Sequence, residues 1–177
     1  MRWLAAASPL LAVLLAATPA AATCTDVAGP AVDWRRCFLD AANLAGADLT
    51  GGDLRDASFK RADLSGAKLV RVNATRAKFV STDLTKADLT DANLTTADFT
   101  GANLSGANLM GASLRRARFY DAVLRGADLT GALLDGTDLL RADLSGATWI
   151  DGSTICAEGS TGQCHPGPAQ PGAKVEG

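Results

Sequence analysis

The stretch Ala97-Asp98-Phe99-Thr100-Gly101-Ala102-Asn103-Leu104-Ser105-Gly106-Ala107-Asn108-Leu109 repeats one five-residue unit almost three times. A small residue is followed by a polar one, then a large apolar one, then two more polar or small residues. Outward from this segment the register never slips. Every fifth residue from Leu39 to Trp149 is Leu, Phe or Trp, with Ala74 the sole exception in 23 positions. Two residues before each of these stands a small residue, mostly alanine, as in Ala62-Asp63-Leu64 and Ala102-Asn103-Leu104.

A period of five fits neither the 3.6 of a helix nor the 2.0 of a flat strand, so the repetition itself is the structural signal. If the small and the large residue both point inward, the chain must turn before the next pair, which produces short straight faces joined by corners. A second period counts the faces. Phe59, Phe79, Phe99 and Phe119 are 20 residues apart, so four units per turn would stack the rings at the strand-to-strand spacing of about 4.8 Å, in offset geometry. Residues 37–151 then make nearly six coils, a rod roughly 28 Å long. Ala74 is preceded at the small position by Val72 instead of alanine. A smaller residue at one inward site is matched by a larger one at the other, as a close-packed interior requires.

The A-(D/N)-L-x-x unit resembles that of the pentapeptide repeat family over about two-thirds of the chain, with 22 of 23 central positions fitting. The resemblance implies an all-β fold, a right-handed quadrilateral β-helix (solenoid) with the central and small residues inside. The handedness comes from the family alone. The best-known members are cytoplasmic DNA mimics that bind gyrase and confer fluoroquinolone resistance. Mimicry of DNA needs a strongly anionic surface, whereas residues 35–150 hold 15 basic and 14 acidic groups, 15 − 14 = +1.

The ends read differently. Arg2, the apolar run Leu4 to Ala17, and Ala20-Ala21-Ala22 make a signal peptide over 1–22, cut after Ala22. That run is shorter than the roughly 20 residues of a bilayer-spanning helix. Lipidation at Cys24 is the alternative, but Ala21, Ala22 and Thr23 fit the lipoprotein pattern poorly. The expected destination is periplasmic or extracellular, with no transmembrane segment in the mature chain. Segment 23–36 would form an N-terminal cap, 37–151 the solenoid, 152–164 a C-terminal cap, and 165–177, rich in Pro and Gly, a disordered tail.

Cys24, Cys37, Cys156 and Cys164 allow three pairings. A disulfide needs Cα atoms within about 7 Å, and the repeat holds the two pairs of cysteines at opposite ends of the rod. Cys24–Cys37 and Cys156–Cys164 are therefore expected. Reduced thiols, or a metal held by Cys156, Cys164 and His165, are the alternatives.

Catalytic chemistry is not expected, and no cofactor is implied. No His or Glu occurs between Cys37 and Asp151, and a filled convex rod offers no pocket. The recurrent Asp residues read as turn-forming outer sites. Triplets such as Asn73-Ala74-Thr75 match the glycosylation pattern only because the repeat generates them. Charge is more informative. From 52 to 121, the face with the Phe residues and the one before it carry eight basic and four acidic groups, 8 − 4 = +4. The other two faces, from 42 to 151, carry four basic and eight acidic groups, 4 − 8 = −4. Arg76, Lys78, Arg116 and Arg118 flank the corner shared by the first two faces. They make a candidate binding edge for an anionic envelope component or an acidic protein. The function expected from sequence is that of a secreted, non-enzymatic structural or binding module. An envelope effector is a further alternative for which no residue can be nominated.

Overall fold

The computed structural model describes residues 24–167. Parallel bridges join residues 20 apart without a slip, from Asp33↔Asp53 to Asp128↔Thr148. Four pentapeptides therefore complete each coil. Among the described residues every face contributes a single bridging residue per coil, and no continuous strand forms.

The unit Ala62-Asp63-Leu64-Ser65-Gly66 shows why the sequence takes this path. Ala62 N–H donates back across the corner to Phe59 O at 3.0 Å. Asp63 N–H reaches Ala42 O on one neighbouring coil at 2.9 Å, while Leu64 and Gly66 N–H reach Asp83 O and Thr85 O on the other at 2.7 and 2.8 Å. Four of the five N–H groups are thus satisfied by backbone. The fifth, on Ser65, goes to Asp63 Oδ1 at 2.9 Å. The same bond recurs at Asp48, Asp83, Asn93, Asp98, Asn103 and Asp128. Asp and Asn recur in the repeat because the coil leaves one donor per face without a backbone acceptor, and a short side-chain oxygen two residues earlier reaches it.

Each corner's second residue lies in the left-handed region. Glycine fills many of these sites, but so do Arg36 (φ 60°), Arg76 (φ 59°) and Arg116 (φ 55°). An L-residue there costs about 1–2 kcal/mol. It is tolerated because its N–H is tied to the next coil, as Arg76 N–H is to Thr95 O at 3.1 Å.

Inside, the central and small residues are sealed from solvent over most of the rod. Phe59, Phe79, Phe99 and Phe119 form one stack, with centroids 5.2, 4.9 and 4.7 Å apart and planes within 8° of parallel. Val72 and Ala74 are both fully buried, and the compensation extends further than the sequence suggested. The small positions of this face run Val32, Gly52, Val72. A Cβ on Gly52 would meet Leu49 O at 3.0 Å and Val32 Cγ1 at 3.3 Å. Glycine leaves room between Val32 and Val72, the valines on the coils either side of it.

Two boundaries need correction. The solenoid starts at Val32 and Trp34, not at Cys37: Asp33 bridges to Asp53, Trp34 N–H donates to Asp53 O at 2.9 Å, and the Trp34 ring is buried 6.4 Å from Phe59. Val and Trp at the inward sites, instead of Ala and Leu, hid this repeat. Among the described residues the buried Trp34 indole N–H has no hydrogen-bond partner, at a cost of about 1–3 kcal/mol.

At the other end the chain reverses after Trp149, whose N–H takes Thr154 O at 2.7 Å. It runs back over the last coil through the antiparallel bridges Thr148↔Ile155 and Asp143↔Thr161. His165, Pro166 and Gly167, expected in the tail, instead add to this cap: Pro166 bridges to Cys156, and Ala157 N–H donates to His165 O at 2.7 Å. Disulfides tie both ends, Cys24–Cys37 and Cys156–Cys164, with Cα atoms 5.4 and 5.0 Å apart. The signal peptide and residues 168–177 of the expected tail lie outside the described residues.

The paired defect is testable. Ala74→Leu alone should destabilise by about 1–3 kcal/mol through overpacking, and Val72→Ala should relieve a substantial part of that loss in the double variant. Denaturant unfolding of the four members of the cycle measures it; strictly additive effects would contradict the shared interior site.

Candidate functional site: a basic corner

Because the coils stack in register, residues 20 apart form straight columns on the outside. The corner between the Trp34–Leu54–Ala74 face and the Phe face presents three. The first column reads Arg35, Arg55, Thr75, Thr95, Arg115, Asp135. The second reads Arg36, Asp56, Arg76, Thr96, Arg116, Gly136. The third reads Phe38, Ser58, Lys78, Asp98, Arg118, Asp138.

This arrangement changes the candidate edge. Arg76, Lys78, Arg116 and Arg118 do share the corner, but they do not form one continuous strip. The coil between them carries Thr95, Thr96 and Asp98, and Asp98 bridges on one side to Lys78 and on the other to Arg118. Arg118 Nη1 lies 3.4 Å from Asp98 Oδ2. Among the described residues Lys78 and Arg116 are in no ion pair. The edge divides into two clusters.

The larger cluster is at the N-terminal end, and half of it was missed in the sequence. Arg35, Arg36, Arg55, Asp56 and Arg76 line an open depression of about 310 Å³. Three of its four arginines, Arg35, Arg55 and Arg76, are held in place by carboxylates on the same or the neighbouring column. Arg35 and Arg55 each grip the aspartate two residues earlier, Asp33 and Asp53, with Nη2–Oδ2 distances of 2.6 Å. Arg35 also approaches Asp53 on the next coil, at 3.7 Å. Arg76 takes Asp56 in a two-bond fork at 2.7 and 2.8 Å. The result is a fixed array in which cations outnumber carboxylates, four arginines to Asp33, Asp53 and Asp56, and the guanidinium groups keep further donors for an external anion. The signal was a spacing of 20 from Arg35 to Arg55 and 40 from Arg36 to Arg76. A repeat counted from Cys37 leaves Arg35 and Arg36 outside that register.

Hydrogen bonds from these arginines hold the carboxyls of Asp33, Asp53 and Asp56 below the ordinary range. Asp63 is lowered by the Ser65 hydroxyl and N–H. Asp151 is brought down to about 2, chiefly by the Thr154 hydroxyl and then by backbone N–H groups. The aspartates thus serve corners and arginines.

The model of the family described as pentapeptide repeats matches residues 31–61, 57–95, 77–116, 92–131 and 112–148. The chain belongs to the pentapeptide repeat family. Its first matched residue lies before Trp34, in agreement with the earlier start of the coil. Comparison with curated proteins finds no match.

Among solved structures, the chain is similar to a pentapeptide repeat protein (Rfr23) from the cyanobacterium Cyanothece 51142, at 30% identity over 66% of this chain and 90% of that one, with a TM-score of 0.36. A pentapeptide repeat protein from Nostoc PCC 7120 is 38% identical over 49% of this chain and 67% of that one, TM-score 0.39. QnrB1, a plasmid-mediated fluoroquinolone resistance protein, is 22% identical over 68% and 71%, TM-score 0.41. Membership of the family rests on the repeat match, not on these superpositions.

The depressed aspartates set a pH dependence. A carboxyl whose pKa is lowered by folding stabilises the fold above its unfolded value, near 3.9, and that stabilisation is lost as pH falls through the folded value. The melting temperature is expected to hold down to about pH 5 and to fall from about pH 4 toward pH 2. Asp63→Asn, which keeps the acceptor without the charge, should make the fall shallower. A melting temperature unchanged at pH 2, followed by circular dichroism, would contradict this account.

Proposed function

We infer that this pentapeptide repeat protein is an exported, non-enzymatic binding module: a right-handed rod of nearly six coils that presents its basic corner to an anionic partner. One observation carries the reading. Arg35, Arg36, Arg55 and Arg76 converge on one depression, and Lys78 and Arg116 stand on the same corner, in no ion pair among the described residues. Arg35, Arg55 and Arg76, fixed by neighbouring carboxylates, offer donors to an incoming anion with little further loss of side-chain freedom.

Export is supported by the sequence of residues 1–22 and is compatible with the two disulfides. Among the described residues no helix is long and apolar enough to cross a membrane. Cys24 is joined to Cys37, which speaks against a lipid on its sulfur. The near balance of 15 basic and 14 acidic groups over residues 35–150 speaks against DNA mimicry.

Charge reversal tests the corner. The variant with Arg76, Lys78, Arg116 and Arg118 all changed to Glu should bind native cell envelopes at least about tenfold more weakly, given that exposed charges near an anionic surface each contribute about 1 kcal/mol. Unchanged binding would remove the corner from the function. In a supercoiling assay the purified chain is expected to leave quinolone-inhibited gyrase inhibited; protection would revive the DNA-mimic reading.

A further inference from the structure

The cap closes only half of the rod's C-terminal end. Over the last two faces of the final coil, Leu144 and Gly146 N–H donate to Ser160 O and Cys156 O, and Trp149 N–H donates to Thr154 O. Ala142 O and Ala147 O accept from Gly162 and Cys156 N–H. Over the first two faces, residues 132–141, no described residue takes this place. Leu134, Gly136 and Leu139 N–H, with Ala132 O and Thr137 O, have no partner among the described residues. One coil earlier the equivalent groups of Leu114, Arg116, Phe119, Ala112 and Ala117 are all bonded to the final coil.

The side chains change at the same place. Leu134 and Leu139 are only partly buried, whereas Leu114 and Phe119 beneath them are sealed. Leu133 (42% exposed) ends a column that otherwise reads Asp33, Asp53, Asn73, Asn93, Ser113. Leu140 (61% exposed) ends one that reads Asp40, Lys60, Val80, Thr100, Tyr120. With leucine at 133, the Asp135 N–H lacks the acceptor that Asp33, Asp53, Asn73 and Asn93 give to the N–H two residues on. Under the cap, Asp143 keeps that bond to Ser145. Proteins blunt an open sheet edge with charge or proline. Here Leu133, Leu134, Leu139 and Leu140 border it instead.

We propose that an extended segment of another protein adds to this edge as a further strand, making main-chain bonds to Ala132, Leu134, Thr137 and Leu139 and covering the four leucines. Backbone chemistry, steric access and charge choose that occupant. The unpaired donors and acceptors are those that each earlier coil offers to the next, so extended backbone satisfies them. Beside them the cap rises in two layers, since Ile155 bridges to Thr148 and Pro166 to Cys156, about 9.6 Å at the strand spacing. A second copy carries the same raised cap, which keeps its own last coil off the edge. A single strand fits the step.

Charge says what the strand contains. Asp138 is in no ion pair among the described residues. Its Oδ1 accepts the Leu140 N–H at 3.0 Å, which leaves Oδ2 for a cation. In the same column Asp98 meets Arg118, and Arg118 bridges to Asp138. Lys or Arg at the bridging position of the added strand continues this alternation of sign. A large apolar residue directly after it covers Leu139, and a small one before it lies over Thr137. The segment therefore has the order small, basic, large apolar. This surface does not depend on the anionic-partner reading of the basic corner.

The probe is a fluorescein-labelled peptide of two Ala-Lys-Leu-Thr-Gly units, followed by fluorescence anisotropy against the oxidised full chain. Binding is expected below about 1 mM, with amide exchange slowed at residues 132–141 and unchanged at the capped faces. The paired change of Leu133→Asn and Leu140→Thr brings in residues that earlier coils use in these columns. The asparagine restores the corner acceptor, so the pair should keep the melting temperature while weakening binding about tenfold or more. Asp138→Asn keeps the acceptor and should weaken binding about threefold, with a shallower salt dependence.

No binding at about 1 mM peptide, binding without slowed exchange at 132–141, or a paired variant that binds as the parent does overturns the proposal. So does a parent that sediments as a dimer beside a paired variant that sediments as a monomer, which would give the edge to a second copy. Binding that appears only after truncation at Gly167 would give it to residues 168–177 and likewise overturns the proposal.

Discussion

The unbroken 20-residue hydrogen-bond register between coils is the constraint on which the rest of the structure depends. It fixes which side chains stack inside, so that four phenylalanines 20 apart become one column of rings. It also fixes which backbone donor is left over on each face. That leftover N–H explains the recurrence of Asp and Asn better than solubility does, since a lysine would be as soluble and could not accept the bond. The left-handed corners depend on the same register. Arginine is held at a φ usually reserved for glycine because bonds to the next coil leave it no alternative.

Surface chemistry inherits this order. On a globular protein, arginines 20 and 40 residues apart in sequence would have no fixed relation. Here they become neighbours at a set spacing, and carboxylates in the same or an adjacent column clamp several of them. Such pairs add little stability at these exposures. Their effect is positional, converting flexible side chains into a patterned surface. The same columns place Asp98 between Lys78 and Arg118, which is why a corner that is basic by count is not a uniform strip.

Much of this was legible in the sequence, and the exceptions have physical causes. The period of five, the four faces from the Phe spacing, and the exchange between Val72 and Ala74 all follow from volume and direction of side chains. Trp34 and Val32 escaped because they fill the inward sites with residues of different size. With them went Arg35 and Arg36, and so half of the N-terminal cluster. The return of the chain over its own last coil, through Ile155 to Thr161, was also hidden. A repeat that stops at Trp149 carries no information on the direction the chain takes next.

The columns also determine how such a rod can change length. Adding or removing 20 residues leaves every column intact and only lengthens or shortens the molecule. A single added pentapeptide preserves the buried pairs and the corner hydrogen bonds equally well, yet it turns everything beyond it through one face. An insertion of five residues near Thr95 would carry Arg115, Arg116 and Arg118 off the corner they share with Arg76 while leaving the interior almost undisturbed. For this fold, the spacing of indels in multiples of 20 separates changes of length from changes of surface.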